Sequence, residues 1–571
     1  MRRSALKLYA PFIALALAQA AFVVASPSKG EKSAASTYAG AAPGAASSGT
    51  VGSGTGTGSG TGATGAGSSS AAVAGAASGS SAAGGTGVAS GGGAAGGAGA
   101  AAAGDTSHCK NGQQTDIIYG APPCAPKFVG NNGGSTYPGV TATEIKFFMM
   151  QCQSNEQVDA ILASQGLAAS NAETDATIAA TVKFMNSHYE FYGRKIVAER
   201  QRMDCTTSPH DAAKNRQAGA EVAKKHPFMV YAAGPLVEGA DVLAQNGIVS
   251  IGIPWAGREF YAGRRPYRYD AFPNATESAD WMTEYYCKKL AHGTATNAGV
   301  LIHPTIGGRN TPRKLGIVVP DDGTGQYLPG AKTVAAGVKA CAGYSPPIFT
   351  YQQDIARGAE QTRVTVSALI DAKVTTILCI CDAIAPAVFT KGLTSNNYYP
   401  EHFMAGSSLM DQDQVGRLYD PAQWTHAFGL SQSPQPLPFD QQDASKVWRA
   451  SGNAGAPCNA CPLTAGYLLL AGLMIQMAGP NLNPLTIEHA LIGNQYHRGG
   501  WAETGGNPTV TLFKFGPGDY NLWSDFREVY WDQTATSPID GKQGAYVQMN
   551  KGRRYAAGEL DSSFTIAPKP N

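Results

Sequence analysis

The sequence predicts an α/β fold with two lobes in tandem, each built on a parallel sheet. The first observation is a run of apolar segments, typical of buried strands, that alternate with helical stretches between residues 139 and 254. The second is a similar alternation from about residue 314 to residue 406. Such alternation specifies right-handed βαβ units. Parallel sheets bind ligands beyond the carboxyl ends of their strands, which predicts a small-molecule site.

The first run contains four predicted strands, each apolar along its length as expected of a strand buried on both faces. The strands span 145–150, 195–200, 228–232 and 248–253, and the helices between them span 174–188 and 208–225.

The second run begins with a helix over residues 279–290, for which Asn274 and Thr276 are candidate N-caps. Further strands are predicted at 314–320, 348–351, 375–381 and 402–406, with helices at 329–341 and 361–372. A helix at 464–478 and a hairpin-like pair at 509–515 and 526–532 follow.

The N-terminal segment predicts export. Residues 1–25 carry Arg2, Arg3 and Lys7 before an apolar stretch and small residues, the pattern of a secretory signal. The apolar stretch is also near the lower limit of a membrane span, so an uncleaved anchor is an alternative. No later segment is expected to span a membrane, because Gly472 and Gln476 interrupt the apolar stretch at 468–477, which predicts a core helix.

Residues 26–106 predict a flexible linker, because Gly, Ala, Ser and Thr cannot bury enough apolar surface to offset the entropy of ordering. A cloning scar or a misplaced start codon is the alternative. No cysteine precedes Cys109, which excludes lipid attachment to a cysteine just after the signal.

The ten cysteines of an exported chain predict disulfides. Cys109 and Cys124 bracket a short loop, and Cys152 and Cys205 follow neighbouring parallel strands, so each pair is expected to bond. Cys287 and Cys341 lie near the ends of neighbouring helices, and Cys379 and Cys381 face the same side of one strand. Cys458 and Cys461 form a CxxC, for which a loop disulfide is favoured over a redox or zinc site. The pairing of these last six stays open.

Composition and motifs argue against several function classes. The formal net charge is +2, with no basic run that would indicate nucleic acid binding. The sequence has no G-x-S-x-G, H-E-x-x-H or P-loop motif, and Gly323-x-Gly325 lacks the rest of a dinucleotide fingerprint. His210 and Asp211 are adjacent without a nucleophile motif. We therefore expect no enzyme, no metal and no cofactor, although an enzyme on an α/β scaffold is an alternative.

In the order and spacing of five motifs, the chain resembles the type I periplasmic binding proteins, and most closely the leucine/isoleucine/valine-binding family of ABC-transporter receptors. The motifs lie at 139–146, 204–214, 315–330, 371–379 and 465–470, within a resemblance that covers about residues 139–535. The resemblance implies two Rossmann-like lobes joined by a hinge of three chain crossings. Lobe 1 would comprise 139–272 and 430–510, lobe 2 would comprise 273–429 and 511–545, a disulfide-containing lead-in would span 107–138, and a C-terminal tail would span 546–571.

The resemblance also places a ligand between the lobes. The expected contacts are Gln151 and Gln153 after the first strand, Gly234, Pro235 and Leu236 after the third, Trp255 and Ala256 after the fourth, and Tyr327, Asp382, Ser407 and Ser408 from lobe 2. Five of these residues have a structural alternative: Trp255 could pack at the hinge, Tyr327 could lie on a surface turn, Asp382 could cap the next helix, and Ser407 and Ser408 could stabilise loops. Gly-Pro-Leu-Val stands where the family has hydroxyls, which places amino-acid specificity in doubt.

These observations predict a monomeric, extracytoplasmic solute-binding protein. It would capture a small amino-acid-like, carboxylate or amide ligand and deliver it to an ABC permease. The alternative is a surface ligand-sensing or adhesive module that has no permease.

Overall fold

The computed structural model describes residues 104–560 except 154, 207–208, 234–236, 253–254 and 322. The predicted signal, nearly all of the predicted linker and residues 561–571 lie outside the described residues. Two sheets organise the described chain, and both are covered by helices, so the predicted α/β fold with parallel sheets is confirmed.

The first sheet has five strands, all parallel, in the order β2-β1-β3-β4-β5. Its strands are β1 Glu144–Cys152, β2 Lys195–Met203, β3 Met229–Ala233, β4 Val249–Ile251 and β5 Arg268–Tyr269. Apolar side chains of β1 such as Phe147 and Phe148 are buried, because helices cover both faces of a parallel sheet.

The second sheet has eight strands in the order β12-β11-β10-β9-β8-β6-β7, with β13 paired to β11. Its strands are β6 Leu315–Pro320, β7 Ile348–Tyr351, β8 Thr376–Cys379, β9 Glu401–Met404, β10 Ala427–Ser431, β11 Phe526–Thr536, β12 Gln543–Gln548 and β13 Arg554–Tyr555. Strands β6 to β10 pair in parallel, whereas β11, β12 and β13 pair antiparallel.

Fourteen α-helices lie in the described chain. They are α1 Glu156–Ser164, α2 Asn171–His188, α3 Ala212–Ala223, α4 Val237–Gln245, α5 Arg258–Ala262, α6 Ala275–Tyr285, α7 Leu328–Ala342, α8 Gly358–Asp371, α9 Ala385–Ser395, α10 Asp413–Gly416, α11 Pro421–Trp424, α12 Asp443–Ala450, α13 Cys461–Ala478 and α14 Pro484–Glu488. Two π-helical turns follow α6 and α14 at Tyr286–Leu290 and His489–Gly493, and 3-10 turns span Ile355–Arg357, Phe439–Gln441 and Asn550–Gly552.

Local sequence signals explain where several helices begin. Ser170 and Glu173 form a capping box that starts α2, since each side chain accepts the other residue's backbone N–H. Asn274 accepts the N–H of Glu277 at 2.9 Å and starts α6, as expected of a cap. Pro462 lies in the first turn of α13, where its missing N–H costs nothing.

Helix α13 is apolar on all sides because it lies in the core. It begins at Cys461, earlier than predicted, and by length and composition it is the one helix of the described residues that could cross a membrane. Most of its residues are buried within the fold, which supports the predicted core helix. Gly472 allows α13 to lie close to α2, because a Cβ there would come within 2.5 Å of the Met185 sulfur.

Two predictions near the C-terminus are wrong. The predicted pairing of 509–515 with 526–532 does not form: Phe513 instead makes an antiparallel bridge to Trp523, Phe513–Lys514 pairs with His497–Arg498, and β11 pairs with β10 and β12. The tail expected from residue 546 begins later, since β12 and β13 continue the second sheet to Tyr555. Both errors come from long-range pairing, which a local pattern does not show.

The structure forms five disulfides. They join Cys109 to Cys124, Cys152 to Cys205, Cys287 to Cys341, Cys379 to Cys381 and Cys458 to Cys461. Every cysteine of the chain is therefore paired.

Candidate functional site

A cavity of about 320 Å³ lies where the carboxyl ends of the two sheets meet. Its volume falls at the lower end of the range of small-molecule sites. Seven aromatic side chains line it: Tyr231, Trp255, Phe272, Tyr327, Tyr351, Phe389 and Tyr467. The site therefore has the position that parallel sheets give to ligand pockets and a mostly apolar lining.

The first sheet supplies one aromatic wall. The ring of Tyr231, within β3, stacks on Tyr467 of α13 with centroids 4.8 Å apart. Phe272, which follows β5, packs between Tyr467 and Trp255, with centroids 6.2 and 5.6 Å away. This wall is preorganised because each ring is held by another ring.

A buried carboxyl group supports this wall from behind. Asp270 is fully buried and accepts the hydroxyl of Tyr467 at 3.0 Å and the backbone N–H groups of Phe272 at 3.0 Å and Gly252 at 3.1 Å. Burial raises the pKa of Asp270 to about 6, against the opposing effects of Arg268 and these hydrogen bonds. Asp270 therefore fixes three residues that line the cavity.

The second sheet supplies the opposite wall, which carries the polar groups. The Tyr351 hydroxyl donates to Asp382 Oδ2 at 2.7 Å. Asp382 Oδ1 accepts the N–H groups of Ile384 and Ala385, each at 2.9 Å, so it caps the start of α9. Burial raises the pKa of Tyr351 well above its usual range, and Asp382 acts in the same direction, so the phenol stays protonated.

Two rings from different parts of the fold face each other at the cavity. Trp255 follows β4, and Tyr327 immediately precedes α7; their rings are nearly parallel, with centroids 6.5 Å apart. The Trp255 indole N–H donates to Gln432 Oε1 at 3.2 Å, and Gln432 in turn donates to Ser278 Oγ at 2.9 Å. Trp255 therefore both lines the cavity and packs against the chain that links the sheets.

The backbone of three lining residues other than glycine has positive φ. Trp255 has φ 61°, Ser408 has φ 53° and Leu409 has φ 62°. Gly406 turns the chain into Ser407 and Ser408, and a Cβ there would come within 2.8 Å of the Leu430 carbonyl oxygen. Residues with unusual φ cluster at ligand sites, and these three lie on opposite walls of one cavity.

The cavity has a partly exposed edge. Val158 of α1 and Leu463 of α13 line it, and α1 has no buried residue. After α1, Gln165 Oε1 accepts a hydrogen bond from Arg417 Nε at 3.2 Å, and Leu167 packs against the buried apolar side chains around the second sheet. The segment that follows β1 therefore passes over the cavity toward the second sheet.

The structure brings four of the predicted ligand contacts to the cavity: Trp255, Tyr327, Asp382 and Ser408. The other described candidates lie elsewhere. Gln151 accepts Arg200 Nη1 at 2.9 Å, the exposed Gln153 donates its backbone N–H to Met203, Ala256 accepts the N–H of Ala275, and Ser407 is buried outside the lining. Gly234, Pro235 and Leu236 lie outside the described residues.

Sequence reasoning missed the other aromatic lining residues. Tyr231 and Tyr351 lie within or at the end of strands, and Tyr467 lies on a helix from much later in the chain. The signal that could have found Tyr231 and Tyr351 is an aromatic residue at the carboxyl end of a predicted strand. Phe272 and Tyr467 depend on how β5 and α13 pack, which no local pattern shows.

Nothing in the described part of the chain groups three or more metal-ligating side chains. Outside the cavity, His210 Nε2 pairs with Glu238 Oε1 at 3.0 Å. The arrangement of the cavity fits binding by shape and hydrogen bonds.

No family model matches the sequence, and no curated protein matches it. Solved structures similar to this chain include solute-binding proteins of ABC transporters. One from R. palustris, in complex with 4-hydroxybenzoate, is 12% identical with a TM-score of 0.49, covering 73% of this chain and 98% of that chain. A fatty acid substrate-binding protein from Thermomonospora curvata is 14% identical, with TM-score 0.48 and coverage of 75% and 97%. A possible leucine/isoleucine/valine-binding protein from Rhodopirellula baltica is 11% identical, with TM-score 0.46 and coverage of 71% and 96%.

Proposed function

We propose that this protein is an extracytoplasmic solute-binding protein that captures a small organic ligand in the cavity between its two sheets. The observation that carries the proposal is the cavity itself, with aromatic walls from both sheets at the carboxyl ends of their strands. Five disulfides and the predicted signal support a location outside the cytoplasm.

Capture would proceed by closure of one sheet's half of the molecule onto the other. Trp255 and Tyr327 would approach the ligand from opposite sides, and the Trp255–Gln432–Ser278 hydrogen bonds would couple that approach to the linking chain. The hinge, the lobe boundaries and delivery to an ABC permease belong to the proposal. A receptor of this kind needs no catalytic group, so we infer binding without turnover.

The class of ligands that we propose is broader than amino acids. The similar structures include proteins whose ligands are 4-hydroxybenzoate and fatty acids. Here Asp382, the carboxyl group best placed for the ammonium group of an amino acid, already accepts two N–H groups and one hydroxyl. Small aromatic carboxylates and amides therefore belong in the first screen beside amino acids.

The proposal is tested by thermal denaturation of the full chain with a library of aromatic acids, amides, fatty acids and amino acids. A ligand that binds only the folded state at 100 times its Kd adds about 2.7 kcal/mol, which shifts the Tm by a few degrees. A specific hit should be lost in Trp255→Ala and kept in Trp501→Ala, a partly buried tryptophan outside the lining.

A second variant tests the same cavity in case Trp255→Ala does not fold. Val158→Trp, on the partly exposed helix α1, narrows the cavity without disturbing the core and should also weaken binding. A folded protein that shows no shift across the library would refute ligand capture and favour a surface module whose partner is a macromolecule.

A further inference from the structure

We propose that the ligand is an uncharged ring compound that carries a hydroxyl, carbonyl or amide group, and that Ser408 binds this group. The inference rests on the proposed function, because it assumes that the cavity between the sheets is the ligand site. It narrows the ligand class by the shape, charge and hydrogen-bonding capacity of the lining.

The aromatic lining selects a ring. Tyr231, Phe272 and Tyr467 form a continuous aromatic wall on the first-sheet side, and Trp255 and Tyr327 present nearly parallel rings from the two walls. Aromatic faces stack favourably on other aromatic faces and offer no partner for a carboxylate. Val318, Leu409 and Phe389 add further apolar surface.

The charge of the lining disfavours anions and zwitterions. None of the described residues that line the cavity is Lys, Arg or His, and its two carboxyl groups are Asp354 and Asp382. A ligand carboxylate would lose its water without gaining a cation and would meet two groups of its own sign. The fully buried Arg268 is outside the lining, where it donates to Ser250 Oγ at 2.9 Å.

The lining also disfavours a ligand ammonium group. Asp382 already accepts three hydrogen bonds, and Asp354 Oδ1 accepts the N–H of Ala356 at 3.0 Å at the more exposed edge. Neither carboxyl group presents an unused pair of oxygens to the aromatic wall. An uncharged ligand therefore matches this lining better than an amine.

Ser408 supplies a buried polar group that is still open to a ligand. Its hydroxyl is buried without a hydrogen-bond partner in the structure, and the residue lines the cavity at 7% exposure. A buried hydroxyl without a partner is costly, and a hydroxyl both donates and accepts. A ligand hydroxyl, carbonyl or amide group would satisfy it. The positive φ of Ser408 holds this residue in an uncommon conformation at the cavity wall.

The test compares probes that share one ring and differ in charge: benzamide, benzoate, benzylamine and phenylalanine, each titrated calorimetrically into the full chain. Benzamide should bind at least about 10-fold tighter than benzoate, the probe of nearly the same shape, because only benzoate brings a charge into the lining. Benzylamine and phenylalanine should also bind more weakly than benzamide.

The matched variants separate Ser408 from its neighbour. Ser408→Ala should weaken benzamide about 3- to 10-fold, the effect of one lost hydrogen bond. Ser407→Ala should leave the affinity unchanged, since the Ser407 hydroxyl is also buried without a hydrogen-bond partner in the structure but Ser407 lies outside the lining. Equal effects of the two changes would overturn the role of Ser408.

The outcomes also distinguish this inference from the proposed function. Tighter binding of benzoate, benzylamine or phenylalanine than of benzamide, lost in Trp255→Ala, would overturn the uncharged ligand and leave capture in the cavity standing. Failure of benzamide to bind the folded chain at millimolar concentration would overturn the ligand class, while the wider library decides the function.

Discussion

Buried charged side chains lie within both halves of the molecule, but they are paired differently. Around the second sheet, Arg313 bonds Glu401 through two contacts of 2.8 and 3.0 Å, and Lys289 bonds Glu528 at 2.6 Å. Near the first sheet, Arg268 donates to a serine while its Nε and Nη2 atoms have no partner in the structure.

The carboxyl groups show the same contrast. Glu401 is neutralised directly by a cation, whereas Asp270 is held by two backbone N–H groups and the Tyr467 hydroxyl. Removing one partner of a buried ion pair leaves a bare charge, so the second sheet should be the more sensitive to deletion. The first sheet should instead respond to pH, because the Asp270 pKa lies near 6.

The largest expected effect is that of Glu401→Ala. The change leaves Arg313 buried without a counter-charge and removes the acceptor of the Thr376 hydroxyl, so it should lower the free energy of unfolding by about 3 to 5 kcal/mol. Chemical denaturation measures this loss. The control Glu360→Ala removes an exposed pair and should cost less than about 1 kcal/mol.

A double variant shows whether the cost is that of a bare charge. Arg313→Met with Glu401→Leu replaces the pair by apolar groups and should recover much of the lost stability. A Glu401→Ala protein as stable as Glu360→Ala would contradict the contrast between the sheets.

The second prediction is a pH dependence that originates at Asp270. Its pKa rises from 3.8 in the unfolded chain to about 6 on folding, so the folded state holds the proton more tightly. Stability from this group is therefore fully present below about pH 4 and is lost as pH rises through 6. Two pKa units correspond to about 3 kcal/mol.

Asp270→Asn removes this titration and serves as the reference. The stability of the natural protein relative to Asp270→Asn should fall by about 3 kcal/mol between pH 4 and pH 7, as followed by denaturation at each pH. Parallel pH profiles for the two proteins would show that Asp270 does not hold its proton in the fold.

The sequence could predict the part of the site that lies close to strand ends. Trp255, Tyr327, Asp382 and Ser408 were predictable because each comes soon after a strand, and parallel strands carry their carboxyl ends to one edge. Gln151 lies outside the lining, because β1 continues to Cys152 and the Gln151 side chain accepts a hydrogen bond from Arg200. The position of a residue relative to a strand end thus predicts that it lies in a loop near the cavity. The exact length of the strand decides whether its side chain points toward the cavity or away from it.

The supporting groups were not predictable in this way. Asp270 and Tyr467 are separated by nearly 200 residues of sequence and meet only because α13 packs on the first sheet. Arg313, which lies just before β6, likewise pairs with Glu401 of β9, although β8 lies between these two strands in the sheet. Such contacts depend on sheet order, which a single sequence leaves open, so the fold class was more predictable than the interior of the site.

The smallest expected effect is that of Tyr467→Phe, which keeps the aromatic wall and removes only the hydroxyl that Asp270 accepts. Losing one hydrogen bond to a buried carboxyl group should cost about 1 to 3 kcal/mol. That hydrogen bond favours the charged form of Asp270, so its loss should raise the Asp270 pKa further, and the pH-dependent loss of stability should extend to higher pH and become larger. Tyr398→Phe, which removes a hydroxyl bonded at 2.6 Å to the Val374 carbonyl beside the second sheet, is the control and should leave the pH profile unchanged. A Tyr467→Phe profile that coincides with that of Tyr398→Phe would mean that the first-sheet wall and its buried carboxyl group are not coupled.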